Sequence, residues 1–191
     1  MEALRAKGFV LDPTVLREDD ITSNGPDAGP LAGKTVGFRL DEMWRAWDWI
    51  SEMWADEFRK AGAKVEFWRS SHRTGAPGEA AAKSLAEFFT RIDMAVVGLG
   101  NCGSCTGWTI HDALAAAATG LPTIAIVTDN FKGLGRNLAR RGGRSGLRIH
   151  VLPYPLNECL KDEVDAVGRD HFPQVVAAMG AQLGTRREAA E

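Results

Sequence analysis

The stretch that most constrains how this chain can fold runs from Asp93 to Leu114. Met94-Ala95-Val96-Val97-Gly98-Leu99 is a short, unbroken apolar run, the pattern of a strand buried on both faces. It leads into Gly100-Asn101-Cys102-Gly103-Ser104-Cys105 and then Thr106-Gly107-Trp108-Thr109-Ile110-His111-Asp112-Ala113-Leu114, a glycine-rich turn and the first turns of a helix. A strand feeding a helix this way aims backbone N–H groups and the positive end of the helix dipole at the turn. A thiol placed there ionises more easily, because the dipole favours the thiolate.

The rest of the chain repeats the same unit. Lys34–Leu40 reads as a strand and Met43–Lys60 as a helix, with Trp47, Ile50, Trp54 and Phe58 at helical spacing and a glycine stop at Ala61-Gly62-Ala63. Lys64–Trp68 is a second strand, followed by a polar loop and a helix over 78–91. After the central strand, the cysteine turn and its helix, Pro122–Val127 is a fourth strand, Thr128-Asp129-Asn130-Phe131 opens a helix to about Arg141, and Leu147–Leu152 is a fifth strand. Pro153-Tyr154-Pro155-Leu156 is a rigid turn, and helices over 158–183 close the fold. Strands alternating with helices give an α/β fold, here a flavodoxin-like doubly wound parallel sheet of about five strands in the order 2-1-3-4-5. Residues 1–32, with Ser23-Asn24-Gly25-Pro26-Asp27-Ala28-Gly29-Pro30, read as an extended N-terminal arm. Residues 33–184 form one domain, and 185–191 a frayed tail. Ligands of such sheets bind beyond the carboxyl ends of the strands at the switch point, and the cysteine turn falls there.

Composition narrows the function classes. With 191 residues, 45% apolar and 25% charged, and a formal net charge of −2, neither a nucleic-acid nor a membrane partner is expected. No apolar run approaches the roughly 20 residues of a membrane span, and the first residues lack an apolar signal core, so a cytoplasmic location is expected. Three cysteines make no disulfide framework. A lone C-x-x-C without further cysteine or histidine pairs does not fit structural zinc, and no metal or organic cofactor is expected.

The candidate site collects around the turn. Cys102 is the candidate nucleophile and Cys105 its helper or resolving thiol. Gly103 lets backbone approach a ligand closely, while Asn101, Ser104 and Thr106 supply donors for a carboxylate or oxyanion. His111 lies in the second turn of the helix, about 120° from the cysteine face. Asp112 lies on that face but about 10 Å along the axis from Cys105. Arg39, at a strand end, can clamp a carboxylate, and Trp44 can wall a pocket; Asp41 lies in the same cluster. His72, in the loop that also holds Arg69 and Arg73, is a general acid/base candidate by location. Thr128, Asp129 and Tyr154 complete the set on the same face. Arg136, Arg140, Arg141, Arg144 and Arg148 read as a solvated basic face, or as an anion surface. Gly98–Gly103 fits G-x-G-x-x-G, but no acidic residue closes a strand about 20 residues later, so a dinucleotide loop does not follow.

Around Val97–Cys105 the sequence resembles the UGSC family, named for a selenocysteine-Gly-Ser-Cys motif that often carries cysteine in its first position, where Cys102 stands. The likeness continues through Trp108–Ala113, Gly120-Leu121-Pro122-Thr123 and Leu152–Leu156. More distantly, the sequence is similar to the selenoprotein subunit of glycine, sarcosine and betaine reductases, in which the corresponding selenol attacks the substrate carbon and displaces an amine. The resemblance implies a strongly nucleophilic chalcogen at Cys102.

The expectation is a cysteine-dependent enzyme of the reductase, lyase or transferase class. Its Cys102 thiolate attacks a small, anionic, carboxylate-bearing substrate and makes or breaks a carbon–heteroatom bond through a covalent intermediate. A thiol reductant and a homo- or hetero-oligomer, such as a dimer, are the other expected partners. Two alternatives stand beside it: a thiol-disulfide oxidoreductase cycling Cys102–Cys105, and an anion- or metal-binding module without catalysis.

Overall fold

The computed structural model describes residues 18–70 and 72–184. In chain order the elements begin β1 (Gly29–Pro30), β2 (Thr35–Leu40), α1 (Arg45–Lys60), β3 (Lys64–Arg69), α2 (Gly75–Phe89) and β4 (Met94–Gly100). They continue α3 (Gly103–Ala118), β5 (Thr123–Thr128), a 3₁₀ turn at Asp129–Phe131, α4 (Lys132–Arg141), β6 (Arg148–Leu152), α5 (Lys161–Ala178) and β7 (Ala181–Gln182). Strands β2 to β6 form one five-stranded parallel sheet in the order β3-β2-β4-β5-β6. This is the flavodoxin-like doubly wound order 2-1-3-4-5 that the strand–helix alternation predicts. The order reverses between β2 and β4, so the crevice at the carboxyl ends of these two strands is the switch point.

Each face of the sheet is covered because its central strands are apolar on both sides. All seven residues of β4 and all six of β5 are buried. On one face Val36, Phe38, Val96 and Ile124 pack under α1 and α5 with Trp47, Trp54 and Phe172. On the other, Ala95, Val97, Ala125 and Val127 pack under α2, α3 and α4 with Phe88, Ile110 and Ala139. Trp54 is fully buried, so its indole N–H needs a partner; it donates to the Gly168 carbonyl of α5 at 2.7 Å.

Among the boundaries that differ from the sequence reading, α2 spans Gly75–Phe89 in place of 78–91, and two others have a cause in distant contacts. Helix α1 begins at Arg45, because Trp44 is extended and the Ala46 N–H is capped from 111 residues away by Asn157 Oδ1 at 3.0 Å, a partner no local pattern reveals. Where helices to Leu183 are expected, a single helix ends at Ala178, and Ala181–Gln182 pairs in parallel with Gly29–Pro30. Residues 18–32 follow the domain surface. Asp20 accepts from the Ser145 backbone N–H, and the carbonyls of Asn24 and Pro26 accept from Arg148 at 2.8 and 2.9 Å. The first part of the arm, 1–17, and the tail, 185–191, lie outside the described residues.

Candidate active site

Strand β4 delivers the cysteine turn to the crevice through a register break between Val97 and Gly100. Glycine is required at 100 by close approach: a Cβ there would sit 2.8 Å from Val127 Cγ1 and 3.2 Å from Thr106 Cα. Above the turn the space is open, since a Cβ at Gly103 meets nothing within 4 Å.

Cys102 is itself the N-cap of α3. Its backbone is extended (φ −151°, ψ 172°), and its sulfur accepts the Cys105 N–H at 3.0 Å. Helix N-caps are usually oxygens; a sulfur in that position lies where the dipole and an unpaired N–H stabilise negative charge. Ser104 Oγ lies 3.4 Å from the same sulfur. Cys102 and Cys105 are joined as a disulfide, with Cα atoms 5.1 Å apart. Cys102 is half-buried and Cys105 buried, so the pair has an outer and an inner sulfur.

The turn is held from below. Thr106 Oγ1 donates to the Cys102 carbonyl at 2.6 Å. Thr128 Oγ1, at the end of β5, donates to Asn101 Oδ1 at 2.8 Å. Asn101, Thr106 and Thr128 are all buried, so these three of the sequence-predicted binding residues shape the loop. Ser104 and Gly103 are exposed on it.

Beside Cys105 lies a cavity of about 280 Å³ lined by Arg39, Asp41, Arg73, Ser104, Cys105 and Trp108 among others. Its charges are organised by Asp112. Arg39, 1% exposed, donates from Nε to Asp112 Oδ2 at 2.7 Å and from Nη1 to the Gly98 carbonyl at 2.9 Å. Arg73 reaches the same carboxylate oxygen at 2.9 Å. The Arg73 guanidinium also lies over the rings of Trp68 and Trp108, at 5.6 and 5.4 Å from their centroids. His111 is exposed, with Nδ1 3.2 Å from Asp112 Oδ1; this hydrogen bond raises its pKa above the ordinary value. Asp41, at the carboxyl end of β2, is 8% exposed. Burial lifts its carboxyl to about 6, against the Met43 N–H it accepts at 3.0 Å. Buried Arg39 and half-buried Arg73 therefore converge on Asp112, and Asp41, half-protonated near pH 6, lies 3.7 Å from Arg39.

Thr74, the N-cap of α2, also lines this cavity and makes no side-chain cap bond. The amino ends of α2 and α3 thus open on one space, a geometry that suits an anion.

The other predicted residues lie further out. His72 is exposed, and the loop residues lining the cavity are Ser70, Arg73 and Thr74. Trp44 is half-buried against the α1–α5 core, its indole nitrogen buried without a hydrogen-bond partner. Asp129 is exposed, 3.8 Å from Lys132. Tyr154 stacks edge-on against Phe131 with centroids 6.2 Å apart. The sequence reading leaves Asp41, Arg73 and Asp112 outside its site. Asp41 and Arg73 were accessible by position, since each follows a strand whose carboxyl end faces the crevice. Asp112 was not: its partners lie 39 and 73 residues away. Among the described residues no group of three or more His, Cys, Asp or Glu could hold a metal ion, and no helix is long and apolar enough to cross a membrane.

A doubly wound parallel sheet with a C-x-x-C helix cap at its switch point defines a class of cysteine-bearing α/β domains. Within it this chain belongs to the UGSC family, whose family model matches residues 9–181. Among solved structures it is similar to a diflavin flavoprotein A3 from Nostoc sp., with 15% identity and a TM-score of 0.43 over 77% of this chain and 96% of that one. No curated protein matches it.

Proposed function

We propose that the chain is a cytoplasmic enzyme in which Cys102 attacks a small carboxylate-bearing substrate and Cys105 resolves the resulting thioether. The observation that carries this reading is Cys102 capping α3 through its sulfur while Cys105 sits within bonding reach, beside a cavity lined by buried Arg39 and half-buried Arg73. The substrate carboxylate lies against the amino ends of α2 and α3, with Arg39 and Arg73 supplying positive potential. The Cys102 thiolate attacks the adjacent carbon; the bond to the heteroatom breaks, the leaving group takes the bonding pair, and a thioether forms. Cys105 thiolate then attacks Cys102 sulfur. The carbon–sulfur bond breaks, the carbon keeps the electron pair and takes a proton from Asp41, and the Cys102–Cys105 disulfide forms. The substrate carbon gains two electrons, and an external thiol reductant returns the disulfide to two thiols.

Intact-mass analysis of the reduced protein after brief alkylation at pH 6 tests the first step. A single adduct on Cys102 is expected; earlier labelling of Cys105 or Cys159 overturns it. The disulfide favours a second reading, thiol-disulfide exchange with partner thiols and no carbon chemistry. Cys105→Ser separates the two, since it leaves a substrate-derived mass on Cys102 in the first and a mixed disulfide with the partner thiol in the second.

A further inference from the structure

A second space adjoins the cysteine cavity. It has a volume of about 230 Å³ and runs between α2 and α3, walled by Leu85, Phe89 and Trp108 with Ala82, Ala86 and Ala115 along its length. Arg73 and Trp108 line both spaces, so the two meet at the guanidinium stacked between Trp68 and Trp108. The end nearest the cysteines is charged, with Arg73, His111 and Asp112; the remainder is apolar apart from Thr119, whose hydroxyl donates to the Ala116 carbonyl of α3 at 2.7 Å. An engineered cavity of about 150 Å³ holds benzene, so this groove has room for a group of roughly six to eight carbons.

We infer that the groove between α2 and α3 is a substrate subsite, and that the substrate is an amphipathic carboxylate whose apolar group lies along Ala82, Phe89 and Ala115 while its carboxylate faces Arg73. The inference rests on the proposed chemistry only in taking that cavity as the substrate site. Charge complementarity fixes the polarity of the occupant. The anion is drawn to the arginine end, and the alanine-lined end offers no charged partner, its Thr119 hydroxyl proton being given to the Ala116 carbonyl, so a ligand seated in both spaces is anionic at one end and apolar at the other. A small dicarboxylate or an amino acid with a charged side chain would place its second charge against Leu85 and Phe89, at a desolvation cost.

The test is binding, with no turnover. In the Cys102→Ser/Cys105→Ser protein, affinities of acetate, butyrate, hexanoate and phenylacetate are measured by calorimetry, and the site is followed by NMR shifts of the Ala82 and Ala115 methyls. Affinity rises about fourfold per methylene from butyrate to hexanoate, phenylacetate binds at least as tightly as hexanoate, and both methyls shift. Ala82→Phe and Ala115→Phe each remove the chain-length gain and leave acetate affinity within twofold. Both alanines are exposed, so the enlarged side chains enter the groove without repacking the core. An affinity independent of chain length in the unfilled protein overturns the inference, as does a gain that survives both substitutions. Alkylation of wild-type Cys102 is scored separately: loss of the nucleophile reading leaves the chain-length series intact, and a flat series leaves the nucleophile reading intact.

Discussion

Buried arginines sit at both ends of the sheet, and they are treated differently. At the amino end, Arg148 at the start of β6 is enclosed by acceptors from the arm. Its Nη1 donates to the carbonyls of Asn24 and Pro26, and its Nη2 to that of Gly25 at 3.3 Å and to Asp27 at 2.6 Å. At the carboxyl end, Arg39 and Arg73 draw on one carboxylate, Asp112. The nearby Asp41, 3.7 Å from Arg39, holds its proton up to about pH 6. Arg148 ties the arm to the domain through both terminal nitrogens, while its Nε is buried without a partner. Below about pH 6, where Asp41 keeps its proton, the pair at the switch point holds an excess of positive charge beside the cavity at Cys105, which is the condition for drawing in an anion.

The largest expected effect breaks this contrast directly. Asp112→Asn leaves buried Arg39 and half-buried Arg73 without their shared counter-ion, a loss of about 3–5 kcal/mol, or a melting temperature lower by about 10 °C. Arg148→Met loses a comparable amount by releasing the arm. Thermal melts in rising sodium acetate separate the ends: the anion restores part of the Asp112→Asn deficit and none of that of Arg148→Met. Equal recovery in both, or in neither, removes the distinction between an arginine held by the arm and a pair that faces a cavity.

How far the two ends could be read from sequence follows from the range of their contacts. The strand order, the cysteine turn and its place at the switch point are local patterns: apolar runs, a glycine turn and helical spacing. Asn101, Thr106, Thr128 and Arg39 were reached because each lies at a strand end or in the turn, yet their contacts are not local. Thr128 spends its hydroxyl on Asn101, and Arg39 its Nε on Asp112. The Asp112 hub is hidden because helical geometry places it about two turns from Cys105 and says nothing of Arg39 and Arg73, which arrive from another strand and from the loop after β3. At the amino end the pairing of β1 with β7 joins residues over 150 positions apart, and two-residue strands carry no period to detect.

A smaller effect, opposite in sign at the two ends, comes from pH. Asp41 has a folded pKa of about 6 against an ordinary value of 3.8, so folding retains its proton. Stability is therefore fully present below pH 4 and is lost as pH rises through 6, by about 3 kcal/mol at 1.36 kcal/mol per unit. Asp41→Asn keeps an acceptor for the Met43 N–H and removes that loss, so its stability relative to wild type is greater at pH 8 than at pH 4. At the other end His150 is pushed down to about 4 by burial and by His171, whose Nδ1 lies 2.8 Å from its Nε2. Its contribution is present above pH 6.5 and is lost as pH falls through 4, so His150→Gln flattens the acid side only. Chemical denaturation at pH 4, 6 and 8 reads both; an Asp41→Asn difference independent of pH overturns the first.

Smaller again is the hydrogen bond under the turn. Thr128→Val leaves Asn101 Oδ1 buried without its donor, a cost of about 1–2 kcal/mol. Ser145→Ala at the arm removes an exposed hydroxyl contact to Asp20 and stays within about 0.5 kcal/mol. Equal urea midpoints for the two variants would show that the loop under Cys102 is no more tightly specified than the arm.

The finest probe of the switch-point charges is His111, whose ring senses both Asp112 and Arg73. The Asp112 hydrogen bond raises its pKa, and the Arg73 charge works against that. Followed by NMR through the ring protons, wild-type His111 titrates above the ordinary histidine midpoint of about 6.5. Removing the carboxylate in Asp112→Asn moves the midpoint down, because the protonated ring loses its acceptor and keeps the repelling guanidinium. Removing the guanidinium in Arg73→Met moves it up, because the carboxylate then serves the imidazolium without competition. Saturating acetate also moves it up, since an anion beside Arg73 screens the same charge. If acetate leaves His111 where it was while the two substitutions shift it, the Asp112 hub stands as an ion-pair network and the anion lies elsewhere, which would make the arginines at the carboxyl end of the sheet structural ties like Arg148.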